Sequence, residues 1–406
     1  MGDPLFSDGL DLGVVAFVIV KALIGFLFVL VGVIFMVWFE RKVIADMQNR
    51  IGPDRAGRWG ILQTVADGIK LIFKEDLKPD RADHRVFRLA PYLSVAPAFL
   101  TFTIVPVAGV FTGDEDGSIE LFGHQTFLQV ADPPVGVLFL LAMSSVAVYG
   151  VMLAGWSSGS KYPLLGAVRA SAQMVSYEAA LGLSVVAVVL LTGSLSTHDI
   201  VASQAGSALD WNLVRTGLVP FAVFCVAACA ELNRPPFDLV EAEQELVGGF
   251  HTEYSSIRFG MFFLSEFMNT ITMSAIIVTL FLGGPAPLFD LPGPDLLLSP
   301  LWFLAKLFLF LFTFVWLRAT LPRFRYDQLM DLGWKKAIPL ALGWLLLLAA
   351  IRIGRDEGWN IAAVLVASLV VIAAAGTALY AAMGVSAANR EAASADNQSA
   401  GAEVDA

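Results

Sequence analysis

Apolar residues in this chain come in long, nearly unbroken runs, not in the narrow stripes of helices that pack on one face. Nine runs stand out, at about 13–39, 92–112, 135–156, 173–193, 215–231, 256–282, 300–320, 337–353 and 359–384. About 20 apolar residues at 1.5 Å rise match the hydrocarbon core, and helices satisfy their own backbone there. The pattern predicts an all-α, polytopic transmembrane helix bundle of about nine spans. One polar stretch behaves differently. Ile61, Leu62, Val65, Ile69, Ile72 and Phe73 recur at helical spacing, while Gln63, Asp67, Lys70 and Lys74 face the other way. That stripe fits an amphipathic helix in the membrane interface, and equally a cytoplasmic cap helix packed on the bundle. Pro53 and Gly57 mark a turn before it, and Lys78-Pro79 ends it.

Composition agrees with the pattern. Of 406 residues, 57% are hydrophobic and 15% charged, with mean hydropathy +0.72. A soluble domain cannot hide that much apolar surface. The net charge of −10 argues against a nucleic-acid partner, but in a bilayer the side on which charges fall says more. Residues 40–91 hold eleven Lys and Arg, and 157–172, 232–258 and 318–336 hold two, two and five. Residues 113–134 offer Asp114, Glu115, Asp116 and Glu120 without Lys or Arg, and 283–299 only Asp290 and Asp295. The basic loops are therefore expected in the cytoplasm, the N-terminus outside and the C-terminus inside. The turn 354–358, with Arg355, runs against that rule. Asp3, Asp8 and Asp11 precede the first basic residue, Lys21, which argues against a cleaved signal peptide. Residues 385–406, polar and without apolar period, read as a disordered tail.

Ionisable groups within spans are costly, so Lys21, Glu178, Glu266, Lys306 and the terminal Glu231 mark a polar path or paired charges that fix helix register. Gln173 and Tyr177 share a helix face beside Glu178. The segment from Glu231 through Arg234, Asp238, Glu241 and Glu243 to Glu245 is the most unusual in the chain. On a helix Asp238, Glu241 and Glu245 form one stripe, with Glu243 pointing away. Crowding raises carboxylate pKa values toward the range of proton exchange, although a solvated acidic loop would look the same. Cys225 and Cys229 lie four apart in an apolar run and suit a helix face better than a disulfide or metal site. The histidines His84, His124, His198 and His251 show no ligand spacing. No phosphate loop, dinucleotide fingerprint or nucleophile arrangement appears, so any catalysis is shared with partners.

Several segments resemble a known family. Glu40-Arg-Lys-Val-Ile-Ala-Asp-Met-Gln-Asn-Arg50-Ile-Gly-Pro and Leu62 through Glu75 are similar to the first cytoplasmic loop of the H subunit of bacterial NADH:quinone oxidoreductase, respiratory complex I. Gly155 to Arg169, Glu231-Leu-Asn-Arg-Pro-Pro-Phe-Asp238 through Tyr254, and Arg318 to Met330 match the family in the same order. The resemblance covers about 13–353, so 1–353 reads as the transmembrane domain similar to that family, 354–384 as an added helix and 385–406 as the tail.

The resemblance implies a subunit of a proton-translocating NADH:quinone oxidoreductase in the bacterial inner membrane. Its partners would be the other subunits of the hydrophilic and membrane arms, together with lipid. Ubiquinone or menaquinone would be the substrate, with FMN and iron–sulfur clusters on partner subunits. By motif match, Glu40, Arg41, Arg318 and Arg323 would lie near a quinone tunnel, with Phe263 and Phe267 in its wall. Glu178, Glu231, Asp238, Glu241, Glu243, Glu245, Glu253 and Glu266 would belong to a carboxylate chain coupling quinone reduction to proton movement. Arginines and carboxylates suit a polar tunnel entrance, and aromatic walls suit an isoprenoid tail. Two other readings stay open. A membrane subunit of a hydrogenase-type complex would keep the carboxylates. An independent cation/proton transporter would explain Glu178 and Lys306 but not the long cytoplasmic motifs.

Overall fold

The computed structural model describes residues 3–6, 11–111, 117–121, 124–239, 247–289 and 294–404. It divides into two compact units, Met1–Ala341 and Leu342–Ala406. The first unit holds α1 (Leu12–Met47), α2 (Gln63–Phe73), α3 (His84–Phe102), α4 (Gly136–Ser157), α5 (Lys161–Thr192), the short α6 (Thr197–Ala202) and α7 (Asn212–Arg215), α8 (Leu218–Glu231), α9 (Ser256–Phe281), α10 (Asp295–Thr320) and α11 (Tyr326–Asp331). A π-helical segment, Leu332–Ala337, joins α11 to α12 (Ile338–Asp356), which runs across the boundary between units.

A helix stands at each of the nine expected spans, but seven are long and apolar enough to cross a membrane. The other two differ for visible reasons. Helix α3 opens on His84, Arg85 and Arg88 and ends at Phe102, because Pro106 interrupts the apolar run expected to be helical up to 112. The residues after it still enter the core, with Ile104 and Val105 buried. Helix α8 has 14 residues, about 21 Å of helix at 1.5 Å per residue, shorter than the hydrocarbon core. Helix α1 runs past its apolar stretch to Met47, so Glu40 and Arg41 stand on a helix and not in a loop.

The core is built around α9, which packs on α1, α2, α3, α8 and α10. Of its most apolar 18 residues 72% are buried, against 11% for α1 at the periphery. Its sequence permits this. Thr270, Thr272, Ser274, Ala275 and Thr279 are small enough for close helix approach. The hydroxyls of Thr270, Ser274 and Thr279 donate to carbonyls one turn back, at 2.7–2.9 Å, so they bring no unmet polar group with them.

The C-terminal end of α9 is buried, and its orphan carbonyls need donors from elsewhere. Gln204 donates to Thr279 O at 3.0 Å and Asn212 to Leu280 O at 2.9 Å. The Lys306 ammonium donates to the carbonyls of Leu282, Gly284 and Ala286 at 2.7, 3.0 and 2.7 Å. Gly283 and Gly284, both at positive φ, turn the chain so that these carbonyls converge. Lys306 thus caps the C-terminal end of a helix.

Lys21 is also a structural cation. It donates to Asp3 at 3.0 Å, Thr126 Oγ1 at 2.8 Å and Phe127 O at 2.9 Å, tying α1 to an antiparallel hairpin of β1 (Ser118–Leu121) and β2 (His124–Phe127). The start of the π-helical segment is pinned to α5. Tyr177 donates to Leu329 O at 2.9 Å and Trp334 to Ser176 Oγ at 3.0 Å. A Cβ on Gly333 would come within 3.3 Å of the Tyr177 ring.

In the second unit α13 (Ile361–Val404) continues as helix through 385–404, the segment expected to be a disordered tail. Its many alanines keep helix propensity although the segment has no apolar face.

Helix α2 appears where the amphipathic stripe placed it. Ile61, Leu62, Val65, Ile69, Ile72 and Phe73 are all exposed, while the helix packs on α1 and α9 through Thr64 and Leu71.

Candidate functional site

Four elements bring charge to one buried point. Glu40 comes from the C-terminal part of α1, Arg234 from the turn after α8, Glu266 from α9 and Arg318 from the last turn of α10. Arg234 donates to Glu40 Oε2 at 2.7 Å, and its Nε lies 2.7 Å from Glu266 Oε1. Arg318 donates to the other Glu40 oxygen. Glu40 is 7% exposed and Arg234 4%, so each charge needs the others. The flat face of the Arg234 guanidinium also lies 4.3 Å from the centre of the Phe267 ring, a cation–π contact. Sequence reasoning assigns no role to Arg234, although it is the lone basic residue between Glu231 and Glu245. That isolation is the available signal.

An apolar groove of ≈ 310 Å³ runs between α1, α2 and α9. Val33, Val37, Leu71 and Leu264 furnish its walls, and Arg41 and Asp67 its polar edge. Arg41 donates to Asp67 at 2.6 Å, Gln63 donates to the other oxygen at 3.2 Å, and Lys70 stands 3.9 Å away. Partial burial pushes the Asp67 carboxyl up, but Arg41, Gln63 and Lys70 together outweigh it and hold the group below its ordinary value. The edge therefore stays a charged pair at neutral pH.

Beside Glu266 a cavity of ≈ 70 Å³ is lined by Glu231, Asn233, His251, Glu266 and Asn269 together with Phe250, Phe259, Phe262 and Phe263. A narrower void of ≈ 20 Å³ shares Glu231 and Asn269 with it and leads to Ser144 and Thr272. The adjacent Ser144 and Ser145 of α4 donate to Glu231 and Glu178 respectively, which sets these two carboxylates side by side. His251 is pushed down to about 4, chiefly by burial, with Asp238 opposing the shift. It is a neutral donor and acceptor at physiological pH.

The residues singled out from sequence divide accordingly. Glu40, Glu266, Arg318 and Phe267 meet at the junction, Arg41 borders the groove, Phe263 lines groove and cavity, and Glu178 and Glu231 hang from α4. Asp238, 1% exposed, pairs with Arg323 at 3.0 Å, so two residues expected in different roles neutralise each other. Glu253 borders neither groove nor cavity. Glu241, Glu243 and Glu245 lie outside the described residues.

The family model for NADH dehydrogenase matches residues 20–349. The H subunit of NADH-quinone oxidoreductase from Frankia alni is 51% identical over 366 residues, covering 88% of this chain and 78% of the relative. The corresponding proteins of Frankia casuarinae and Streptomyces avermitilis are 53% and 49% identical, covering 83% and 85% of this chain and 73% and 75% of the relatives. The matched region contains every element of the junction, the groove and the cavity. This multi-pass membrane protein therefore belongs to the NADH dehydrogenase family, among the NADH-quinone oxidoreductase H subunits.

Proposed function

We propose that this chain, as a membrane subunit of a proton-translocating NADH-quinone oxidoreductase, guides the quinone along the groove between α1, α2 and α9. The carrying observation is that an apolar groove carries the Arg41–Asp67 pair in its lining, with Arg41 next in sequence to Glu40 of the Glu40–Arg234–Glu266–Arg318 junction. An isoprenoid tail fits walls of Val, Leu and Phe, while the charged edge suits a polar headgroup in transit. Glu178, Glu231 and Glu266 then supply the protonatable groups that answer charge changes around the quinone, with Glu241, Glu243 and Glu245 extending the series and Asp238 held by Arg323. Family membership displaces an independent transporter, whose reading leaned on Lys306, now a helix cap.

The electron-carrying groups, FMN and iron–sulfur clusters, are assigned to partner subunits. Among the described residues no three His, Cys, Asp or Glu converge as a metal site, and Cys225 and Cys229 sit in the apolar α8. The basic segments 40–91, 232–258 and 318–336 would face the cytoplasm of a bacterium and receive the hydrophilic arm, with membrane-arm subunits and lipid on the flanks. The exposed apolar stripe of α2 would rest in the lipid interface beside the groove.

The test compares two electron acceptors on the assembled complex. In Arg41→Ala and Arg318→Ala variants, quinone-linked turnover should drop about tenfold or more, the equivalent of ~1.4 kcal/mol. NADH oxidation by a soluble artificial acceptor should be preserved, because it bypasses the groove. Equal loss in both assays would indicate failed assembly, and unchanged quinone turnover would remove the groove from the quinone's route.

A further inference from the structure

A second apolar groove, of ≈ 540 Å³, lies between α1 and α10, with Ile271 of α9 at its floor. Every residue that lines it is apolar. Gly32 lets the floor come close, since a Cβ there would lie 3.1 Å from Ile271 Cδ1. On α1 the lining runs from Ile24 to Phe35, about 16 Å of helix at 1.5 Å per residue. That is roughly half of the ~30 Å hydrocarbon core, the depth of one leaflet. A crossing helix needs the whole core, whereas one acyl chain fills a leaflet. The groove is also open to the bilayer, with Leu27 and Leu304 of its lining exposed.

Each helix carries a cation on its groove face beyond the same end. The two run in one direction here, since Glu40 of α1 receives Arg318 of α10 and Phe39 lies 5.0 Å from Phe308. Lys42 follows Phe35 by seven residues, and Arg318 follows Leu311 by seven. Seven residues make two turns and return to nearly the same face, about 10 Å further along. Lys42 donates to Pro53 O at 3.4 Å and has no ion partner among the described residues. Arg318 keeps its pair with Glu40 and stays partly exposed.

We propose that this groove binds one anionic phospholipid, with an acyl chain against α1 and α10 and the phosphate drawn by Lys42 and Arg318. Cations at the edge of the hydrocarbon favour a headgroup of net negative charge over a zwitterionic one. The site lies on the face of α1 turned away from the quinone groove, to which α1 gives Val33, Val37 and Arg41, so it does not depend on the quinone's route. Its consequence is mechanical. Helix α1 has little of its apolar stretch buried, and a lipid held in the groove would brace it against α10.

The test uses the assembled complex in nanodiscs of phosphatidylcholine and phosphatidylglycerol in equal amounts. Two preparations differ only in which lipid carries a photoreactive diazirine on its acyl chain, and labelled residues of this chain are identified by mass spectrometry. Phosphatidylglycerol should label Leu27, Leu304 and Phe308 about fivefold or more above phosphatidylcholine, the factor expected of one interfacial cation. Lys42→Gln should at least halve that preference. Leu27→Trp, which fills the groove from an exposed position, should abolish labelling of Leu304 and Phe308 by either lipid. Equal labelling by the two lipids in the wild type would make the groove ordinary boundary surface and overturn the site. An undiminished preference in Lys42→Gln would overturn it too, and if that variant fails to assemble the wild-type ratio decides. Where neither lipid labels, a native lipid that does not exchange is distinguished by extraction. The wild type must then yield one anionic phospholipid per complex more than Leu27→Trp, and equal yields would mean that a protein segment or quinone fills the groove instead.

Discussion

An Arg234→Met variant should destabilise the assembled subunit by ~3 kcal/mol or more, the lower end of the cost of stripping one partner from a buried ion pair, and should lower quinone-linked turnover with it. The size of the effect follows from how many groups lean on this side chain. Arg234 is the cation between Glu40 and Glu266 and also covers Phe267. Without it Glu40 keeps Arg318, which is 27% exposed at its side chain, while Glu266 loses its ion pair with Arg234. Arg234→Lys should recover only part of the loss, since an ammonium cannot present two directed donors and a flat face together. A double variant, Arg234→Met with Glu266→Gln, distinguishes charge balance from shape. It should assemble better than the arginine variant alone, as judged by the yield of intact complex on a native gel. Wild-type turnover in Arg234→Met would mean that the junction has no part in quinone chemistry.

The second large effect concerns the two carboxylates suspended from α4. Glu178→Gln and Glu231→Gln should both assemble, because the amide oxygen still accepts from Ser145 or Ser144 and the volume hardly changes. Proton pumping should nevertheless fall by about tenfold in each, because an amide cannot take up and release a proton as a carboxylate does. Ser144→Ala and Ser145→Ala should be milder, since they remove a donor and leave the titrating group in place. If both glutamine variants kept full quinone reductase activity with full pumping, these carboxylates would have to be regarded as register-fixing charges.

Much of this architecture could be read in the chain, and the exceptions share a cause. Apolar runs located the helices because span length is set by the bilayer, a property of the solvent and not of the fold. The α2 stripe was legible because amphipathicity is local. What escaped was non-local. Lys306 stands out in sequence as a charge within a span, but its partners are carbonyls of residues 282, 284 and 286 at the end of another helix. Arg234 lies in a family motif, but its significance depends on Glu40, 194 positions away, and on Glu266. Asp238 looks like one member of a like-charge stripe until folding brings Arg323 beside it. In each case the sequence displays the costly group and cannot display what offsets the cost.

The π-helical turn at Leu332–Ala337 bears on which length changes this chain could tolerate over evolutionary time. A π turn is one residue wider than an α turn, so it behaves as an absorbed insertion. Losing one of Lys335 or Lys336 would let the turn relax to α geometry while Ala337 and Ala341 keep their inward phase. The same loss a few positions later, between Ile338 and Leu340, would rotate Ala341 by about 100° and carry it out of the core. A shortened homologue would thus be expected to lack its residue inside 332–337, and the wide turn would be the scar of a residue gained, retained where Tyr177, Ser176 and Trp334 had closed around it.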